Sequence, residues 1–307
     1  VLAAVERANG KSLNIGEEPR RAGDPPELIA VAERIRDVLG WTPQFDDLDT
    51  IVPESVADPL KYYRNNTASS RTLLEVAHRH GVKNIVFSST AAVYGIPEGG
   101  KASEDSPTQP INPYGTSKLM TEWMLRDLAA AGGPSYVALR YFNVAGCEPT
   151  GTIGQSTPKA TLLVKVACEA ATGRRPGIAI YGTDYPTPDG TGLRDYIHVE
   201  DLATAHLDAL AYLRDGGDST VLNCGYGHGY SVREVLAAVE RANGKSLNIG
   251  EEPRRAGDPP ELIAVADRIR DVLGWTPQFD DLDTIVRTSL AWERKIAAQD
   301  SSAYWAA

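Results

Sequence analysis

The chain has 307 residues, 42% of them apolar and 23% charged, a balance that suits a globular protein with one large domain or two ordinary ones. A net charge of -10 argues against a general nucleic-acid surface, which needs a basic excess, while leaving room for a small anion held by a few arginines. No apolar run approaches the ~18 residues of a membrane span, and Cys147, Cys168 and Cys224 form neither a disulfide framework nor a zinc pattern; the expectation is no membrane partner, no metal and a reducing, cytoplasmic setting.

The chain opens with a segment that it uses twice. Val1–Val52 recurs as Val235–Val286, with Glu33 against Asp267 as the one difference. Two long copies far apart are not a solenoid, whose units are short and stacked. In the second copy Val235, Leu236, Val239 and Ala242 recur at helical spacing, Asn243-Gly244 ends the helix, and the preceding Ser231-Val232-Arg233-Glu234 is a capping-box pattern. The first copy begins at Val1 without that cap. The C-terminal copy is therefore expected to sit in its natural place. The N-terminal copy reads as a rearrangement or joining error, with Val1 not a natural start, and is expected to pack poorly or to cover the exposed side of the sheet. There is no signal-peptide pattern.

From Pro53 the pattern alternates. Thr67–His80 reads as a helix stopped by Gly81, Val82–Ser88 as a strand, and "NPYGTSKLMTEWMLRDLAAAGG" as a long helix with Pro113 at its start and Gly132-Gly133 at its end. "SYVALRYFNVAG" reads as one strand, and "IAIYG" and "VLNCG" as shorter ones. The loop "GTDYPTPDGTG" is suited to a ligand mouth. Helices alternating with strands predict an α/β fold built on a parallel sheet.

Within this frame Tyr114 and Lys118, four residues apart in "YGTSK", share a helix face. An ammonium beside a phenol favours the phenolate and is expected to lower the Tyr114 pKa, as a general base near neutral pH requires. The hydroxyls of Ser88, Ser89 and Thr90 cluster at the end of the preceding strand, and Asn143 ends the following one. Ligands of parallel sheets sit at such carboxyl ends. Each feature alone has a plain structural explanation, as a solvated helix face or a polar strand end; their convergence is the signal.

"FSSTAAVYG", "NPYGTSK", "LRYFNVAG", "DYPTPDGTGLRDYIHVEDLA" and "RRAGD", in this order, resemble the UDP-glucose 4-epimerase family of extended short-chain dehydrogenases/reductases, from about residue 53 to about residue 295. The resemblance implies a Rossmann-like, doubly wound parallel sheet with a smaller C-terminal substrate lobe, NAD as cofactor, a UDP-hexose substrate and a homodimer paired through helices Thr67–His80 and Tyr114–Ala131. It implies Tyr114 as catalytic base, Lys118 as its partner and holder of the nicotinamide ribose, and Thr90 as hydrogen-bond partner of the sugar 4-oxygen. Asn65, Ser88 and Phe142 join Thr90, Tyr114 and Lys118 at the cofactor. Asn143, Arg194, Arg255, Asp258 and Leu262 join Thr90 at the UDP-sugar, with Leu262 setting whether an N-acetyl group fits. A dehydratase of the same fold is disfavoured, because Ala91-Ala92 follow Thr90 where those enzymes place an acidic pair.

The resemblance fails at the start of the chain. Before Pro53 there is no strand followed by a G-x-x-G-x-x-G turn, the element whose backbone and helix N-terminus hold a pyrophosphate. The sheet is thus expected to be incomplete in its N-terminal half. The expected domains are residues 1–52, the duplicate; 53–146, the rest of the Rossmann domain with the Tyr/Lys helix; and 147–307, mainly the nucleotide-sugar lobe. Weak NAD binding and little turnover follow as expectations, with a nucleotide-sugar-binding remnant or an oligomerisation module as the alternative to an active enzyme.

Overall fold

The computed structural model describes residues 54–156, 160–255 and 258–304, with side chains as far as residue 298. The N-terminal copy of the repeat lies outside the described residues. Contacts divide the chain into Val1–Gln44 and Phe45–Ala307, and everything below belongs to the second unit.

The first elements are α1 (Pro59–Tyr62), a π-helical turn (Tyr63–Ala68) and α2 (Ser69–Arg79). The expected helix is thus present, but its first residues are wound as a π-turn. That turn carries Asn66 and Thr67 onto Ser117, through Asn66 Nδ2 to Ser117 Oγ at 2.9 Å and Thr67 Oγ1 to the Ser117 carbonyl at 3.3 Å. Strand β1 (Asn84–Thr90) begins two residues later than expected and runs on through Thr90. A short β2 (Lys101–Ala102) precedes α3 (Pro113–Ala130), which is capped by the Asn112 side chain accepting from Gly115 N at 2.9 Å. Gly115 permits a close approach: a Cβ there would lie 2.5 Å from the Ala92 carbonyl oxygen.

The stretch expected as one strand is two, β3 (Ser135–Tyr141) and β4 (Asn143–Ala145). The chain changes partner at Phe142, whose N–H donates to the Cys224 carbonyl at 3.3 Å, whereas Asn143 N–H donates to that of Asp195 at 2.9 Å. Then follow α4 (Leu163–Ala171), β5 (Ile178–Tyr181), β6 (Leu193–Arg194), β7 (Tyr196–His198), α5 (Val199–Arg214) and β8 (Thr220–Cys224). The C-terminal copy supplies α6 (Val232–Asn243) after β9 (Tyr230–Ser231), then β10 (Ile249–Glu252), β11 (Glu261–Ala264) and α7 (Asp267–Leu273); α8 (Leu282–Tyr304) starts at its end. The expected capping box is present, with Glu234 N donating to Ser231 Oγ at 3.0 Å and Ser231 N to Glu234 Oε2 at 2.7 Å. Gly244 closes α6 in the left-handed region, at φ 72°.

The main sheet is parallel, in the order β1-β3-β8. Its third strand comes from beyond residue 147, so the chain returns to this sheet after building much of the lobe. Among the described residues β1 is paired on one side only. Smaller sheets, β10-β5, β2-β11-β6-β9 and β4-β7, make up the lobe. One core cluster, with Val137, Leu139, Leu222, Phe142 and Trp275 among its buried members, runs from the main sheet into the lobe; a second, of Leu74, Leu125, Tyr136 and Ala138, lies between β3 and α2–α3. Alternation along β3 sends Val137 and Leu139 to one face and Tyr136 and Ala138 to the other, as a sheet covered on both sides requires.

A row of buried polar groups crosses the sheet. Ser89, Arg140 and Asn223 are register neighbours on β1, β3 and β8. Arg140 donates to both carboxylate oxygens of Glu122 on α3, at 3.0 and 2.6 Å, and to the Tyr94 hydroxyl at 3.0 Å. Tyr94 in turn donates to Asn223 Oδ1 at 2.6 Å, and Ser89 Oγ donates to Glu122. Arg140→Met would leave the Glu122 charge buried and unpaired. It should lower unfolding free energy by about 3–5 kcal/mol, read as a fall in urea midpoint, with Glu122→Gln added to Arg140→Met restoring part of the loss.

Candidate active site

Tyr114 sits at the first turn of α3, where Pro113 and the Asn112 cap fix the helix start and Gly115 lets it lie against the turn Ala91–Tyr94. That turn follows directly from β1, and Thr90 Oγ1 accepts from Ala92 N at 3.2 Å at its start. The last residues of β1 and the first turn of α3 are thereby pressed together, and the Thr90 side chain reaches the Tyr114 phenol. Tyr62 meets the Tyr114 ring edge-on at 6.3 Å. Lys118 Nζ lies 5.9 Å from the Tyr114 ring centroid and 5.2 Å from that of Phe87, and donates to the Ser88 carbonyl at 3.1 Å.

The structure brings Ser88, Thr90, Tyr114 and Lys118 together as the sequence implies, but corrects the electrostatics. The Tyr114 pKa is raised, not lowered: burial disfavours the phenolate, Tyr141 adds to this, and the Thr90 hydrogen bond offsets only part of it. Lys118 does not supply the expected compensation. Its amine is tied to the Ser88 carbonyl, and burial pushes its own pKa down to about 8.

Of the remaining cofactor candidates, Phe142 is buried, in the core at the end of β3. Asn65 is half-buried in the π-turn, but it is its neighbour Asn66 that bonds to α3. The substrate candidates gather on the lobe strands. β4 pairs Asn143 with Tyr196, and β11 pairs Leu262 with Arg194. Arg194 forms an ion pair with Asp258 and donates to the carbonyls of Pro259 at 2.7 Å and Leu193 at 2.8 Å. The Arg255 guanidinium stacks on Tyr181 at 3.9 Å from the ring centroid, and Arg254 stacks on Tyr185 at 4.3 Å while pairing with Asp184 at 2.7 Å. Arg254, through Tyr185 and Asp184, and Arg194, beside Gly192, thus pack against the loop at residues 182–192.

Asp195, beside Arg194 in the most specific motif, is a residue that the sequence reading passed over. It is fully buried and accepts from the N–H groups of Tyr226 at 2.9 Å, Gly227 at 2.9 Å and Ala264 at 3.3 Å. Burial pushes its carboxyl up to about 6 against those hydrogen bonds. The residue holds the loop after β8 against β11. Tyr181, which ends β5, gives no signal in the sequence either; an aromatic at the end of a short strand is none until an arginine is seen on it.

The donor chemistry at β1 and α3 fits the nicotinamide-ribose end of NAD. A lysine ammonium with three N–H groups, one of them given to Ser88, and a phenol beside a hydroxyl offer the donors that a ribose diol accepts. Among the described residues there is no glycine-rich strand-to-helix turn for the pyrophosphate.

Comparison with known proteins agrees with this geometry. Residues 49–225 match the NAD dependent epimerase/dehydratase family, and the chain belongs to that family. A UDP-glucose 4-epimerase of Azospirillum brasilense is 61% identical over 246 residues, covering 80% of this chain and 71% of the relative. The UDP-Glc/GlcNAc 4-epimerase of Campylobacter jejuni matches with a TM-score of 0.67 and 50% identity, over 80% of this chain and 74% of that one. The UDP-glucose 4-epimerase of Brucella ovis, solved in complex with NAD, matches with a TM-score of 0.76 and 44% identity, over 79% and 75%. No helix among the described residues is long and apolar enough to cross a membrane.

The Lys118 shift has a consequence for stability. Between about pH 8 and the ordinary value of 10.5, the unfolded chain holds the Lys118 proton and the folded chain releases it. Stability contributed by this group therefore rises with pH across that window, and below it the full cost of burying the ammonium remains. Lys118→Met should lose this rise relative to the parent chain, as measured by urea unfolding between about pH 7 and about pH 10.

Proposed function

We propose that this chain interconverts UDP-glucose and UDP-galactose by epimerisation at C4 of the hexose, with NAD as its cofactor. The observation that carries this is the packing of Thr90 against Tyr114, with Lys118 one turn on, at the carboxyl end of β1. Lys118, Tyr114 and Thr90 would hold the nicotinamide-ribose end of NAD, which would supply a hydride acceptor and donor for C4. The chain's residues supply the rest. Tyr114 takes the proton of the 4-hydroxyl and gives it back, while the Thr90 hydroxyl hydrogen-bonds the same oxygen. Burial leaves the phenol reluctant to ionise, so catalysis needs a cation beside it, and Lys118 is the one within a helical turn. Asn143 and the guanidinium groups of Arg194 and Arg255 bind the UDP-sugar. Their fork geometry suits a diphosphate, and Arg194 exchanges Asp258 for it.

In this reading Leu262, next to Arg194 in the sheet, leaves room for an N-acetyl group, in line with the UDP-Glc/GlcNAc specificity named for the Campylobacter relative. The chain works as a homodimer through α2 and α3, whose Leu73, Val76 and Trp123 are exposed in the single chain; light scattering would then give twice the chain mass. Three buried free cysteines suit a reducing, cytoplasmic setting.

A second reading, a nucleotide-sugar-binding chain with little turnover, draws on the missing G-x-x-G-x-x-G turn in residues 1–52. Purified parent chain that carries no NAD and converts no UDP-galactose would favour it. If the chain is active, Tyr114→Phe should reduce UDP-galactose conversion by about 10²–10⁴-fold with the fold intact, and an unchanged rate would remove Tyr114 as the base. Leu262→Tyr should lose conversion of UDP-N-acetylglucosamine while keeping that of UDP-galactose; retention of both would overturn the specificity assignment.

A further inference from the structure

One polar pair next to this site plays no part in the chemistry above. His206, on α5, lies on the opposite face of β1 from α3. Its Nε2 is 3.0 Å from Ser88 Oγ, and its Nδ1 is 2.8 Å from the Leu202 carbonyl oxygen one turn back on the same helix. A carbonyl only accepts, so Nδ1 carries the proton. Nε2 is then the acceptor, and the Ser88 hydroxyl donates to it. For the neutral imidazole, the tautomer and the direction of both hydrogen bonds follow from these two contacts.

Ser88 is the residue whose carbonyl receives Lys118 Nζ, at 3.1 Å. Alternation along β1 turns its side chain towards α5, whereas Ser89, the next residue, turns towards α3 and bonds Glu122. The catalytic end of β1 is therefore fastened on both faces, by Ser88–His206 and by Ser89–Glu122. Among the described residues β1 pairs with β3 alone. Resting on the assignment of Tyr114 and Lys118, we infer that His206 is a positioning residue for the active site: through Ser88 it holds the β1 carbonyl to which the Lys118 amine is tied, one helical turn on from Tyr114.

The test compares His206→Leu, which removes the acceptor, with His206→Gln, which keeps an acceptor at the Ser88 end. Two readouts are needed. The first is the titration of Lys118 itself, followed by NMR after reductive ¹³C-methylation, with Lys118→Met identifying the signal. In the parent chain Lys118 should titrate low, at about 8. In His206→Leu the loosened strand end admits water, and the value should rise towards that of an ordinary lysine; His206→Gln should stay near the parent. The second is turnover of UDP-galactose, where His206→Leu should lower kcat by roughly 10- to 100-fold, the scale of a misplaced catalytic group, with little change in KM. If His206→Leu fails to fold, Ser88→Ala removes the same hydrogen bond from the strand side and should raise the Lys118 value likewise. A Lys118 titration unchanged in both His206→Leu and Ser88→Ala, or changed equally by His206→Gln, overturns the inference. The titration does not depend on turnover, so a chain that lacks epimerase activity leaves this test intact.

Discussion

The fold around the site depends on the buried ion pair between Glu122 and Arg140. Neither side chain is exposed by more than a few per cent, and each is satisfied on several sides, by Ser89, Tyr94 and the partner's charge. A buried pair of this kind contributes little net stability over an apolar replacement, because desolvation offsets most of the attraction. What it imposes is register. Ser89, Arg140 and Asn223 can meet Glu122 and Tyr94 only if β1, β3 and β8 are aligned as they are and α3 is set at one height above them. Since Glu122 lies one turn beyond Lys118 and two beyond Tyr114, fixing its height fixes theirs.

The same burial sets the electrostatics of the site. A low-dielectric strand end raises the cost of every charge placed there, and the two key groups respond in opposite ways: the phenol of Tyr114 holds its proton more tightly and the ammonium of Lys118 holds its own less tightly. At neutral pH the phenol is therefore un-ionised, while the ammonium is kept at a cost. On the lobe the balance differs. Arg194 pairs with Asp258 and donates to the Pro259 carbonyl, and Arg255 stacks on Tyr181.

Most of the architecture is legible because it rests on local signals. The Ser231–Glu234 capping box, the Asn112–Pro113 helix start and the Gly244 stop are each written within a few residues and each is realised. The misses share a cause, which is dependence on partners distant in sequence. "SYVALRYFNVAG" has no local break; it divides because Phe142 pairs towards Cys224 and Asn143 towards Asp195. The π-turn at residues 63–68 follows from docking on Ser117, 50 positions away. Tyr114 and Lys118 were found by spacing, but the sign of the Tyr114 shift depends on burial and on where the amine points, and neither is encoded in i and i+4. Glu122 and Arg140 read as ordinary residues of a helix and a strand, and only their mutual approach makes them decisive.

The repeated segment carries the same lesson further. Residues 235–286 take their structure from partners that the segment does not contain. β10 pairs with β5, β11 lies between β2 and β6, α6 packs on α4 and α8, and its cap is Ser231, four residues before the repeat begins. These pairings are in use by the C-terminal copy. An almost identical sequence at residues 1–52 has equal intrinsic preference for helix and strand, but intrinsic preference contributes far less than tertiary packing to the stability of such short elements. Identity of sequence between two segments therefore does not by itself imply identity of structure.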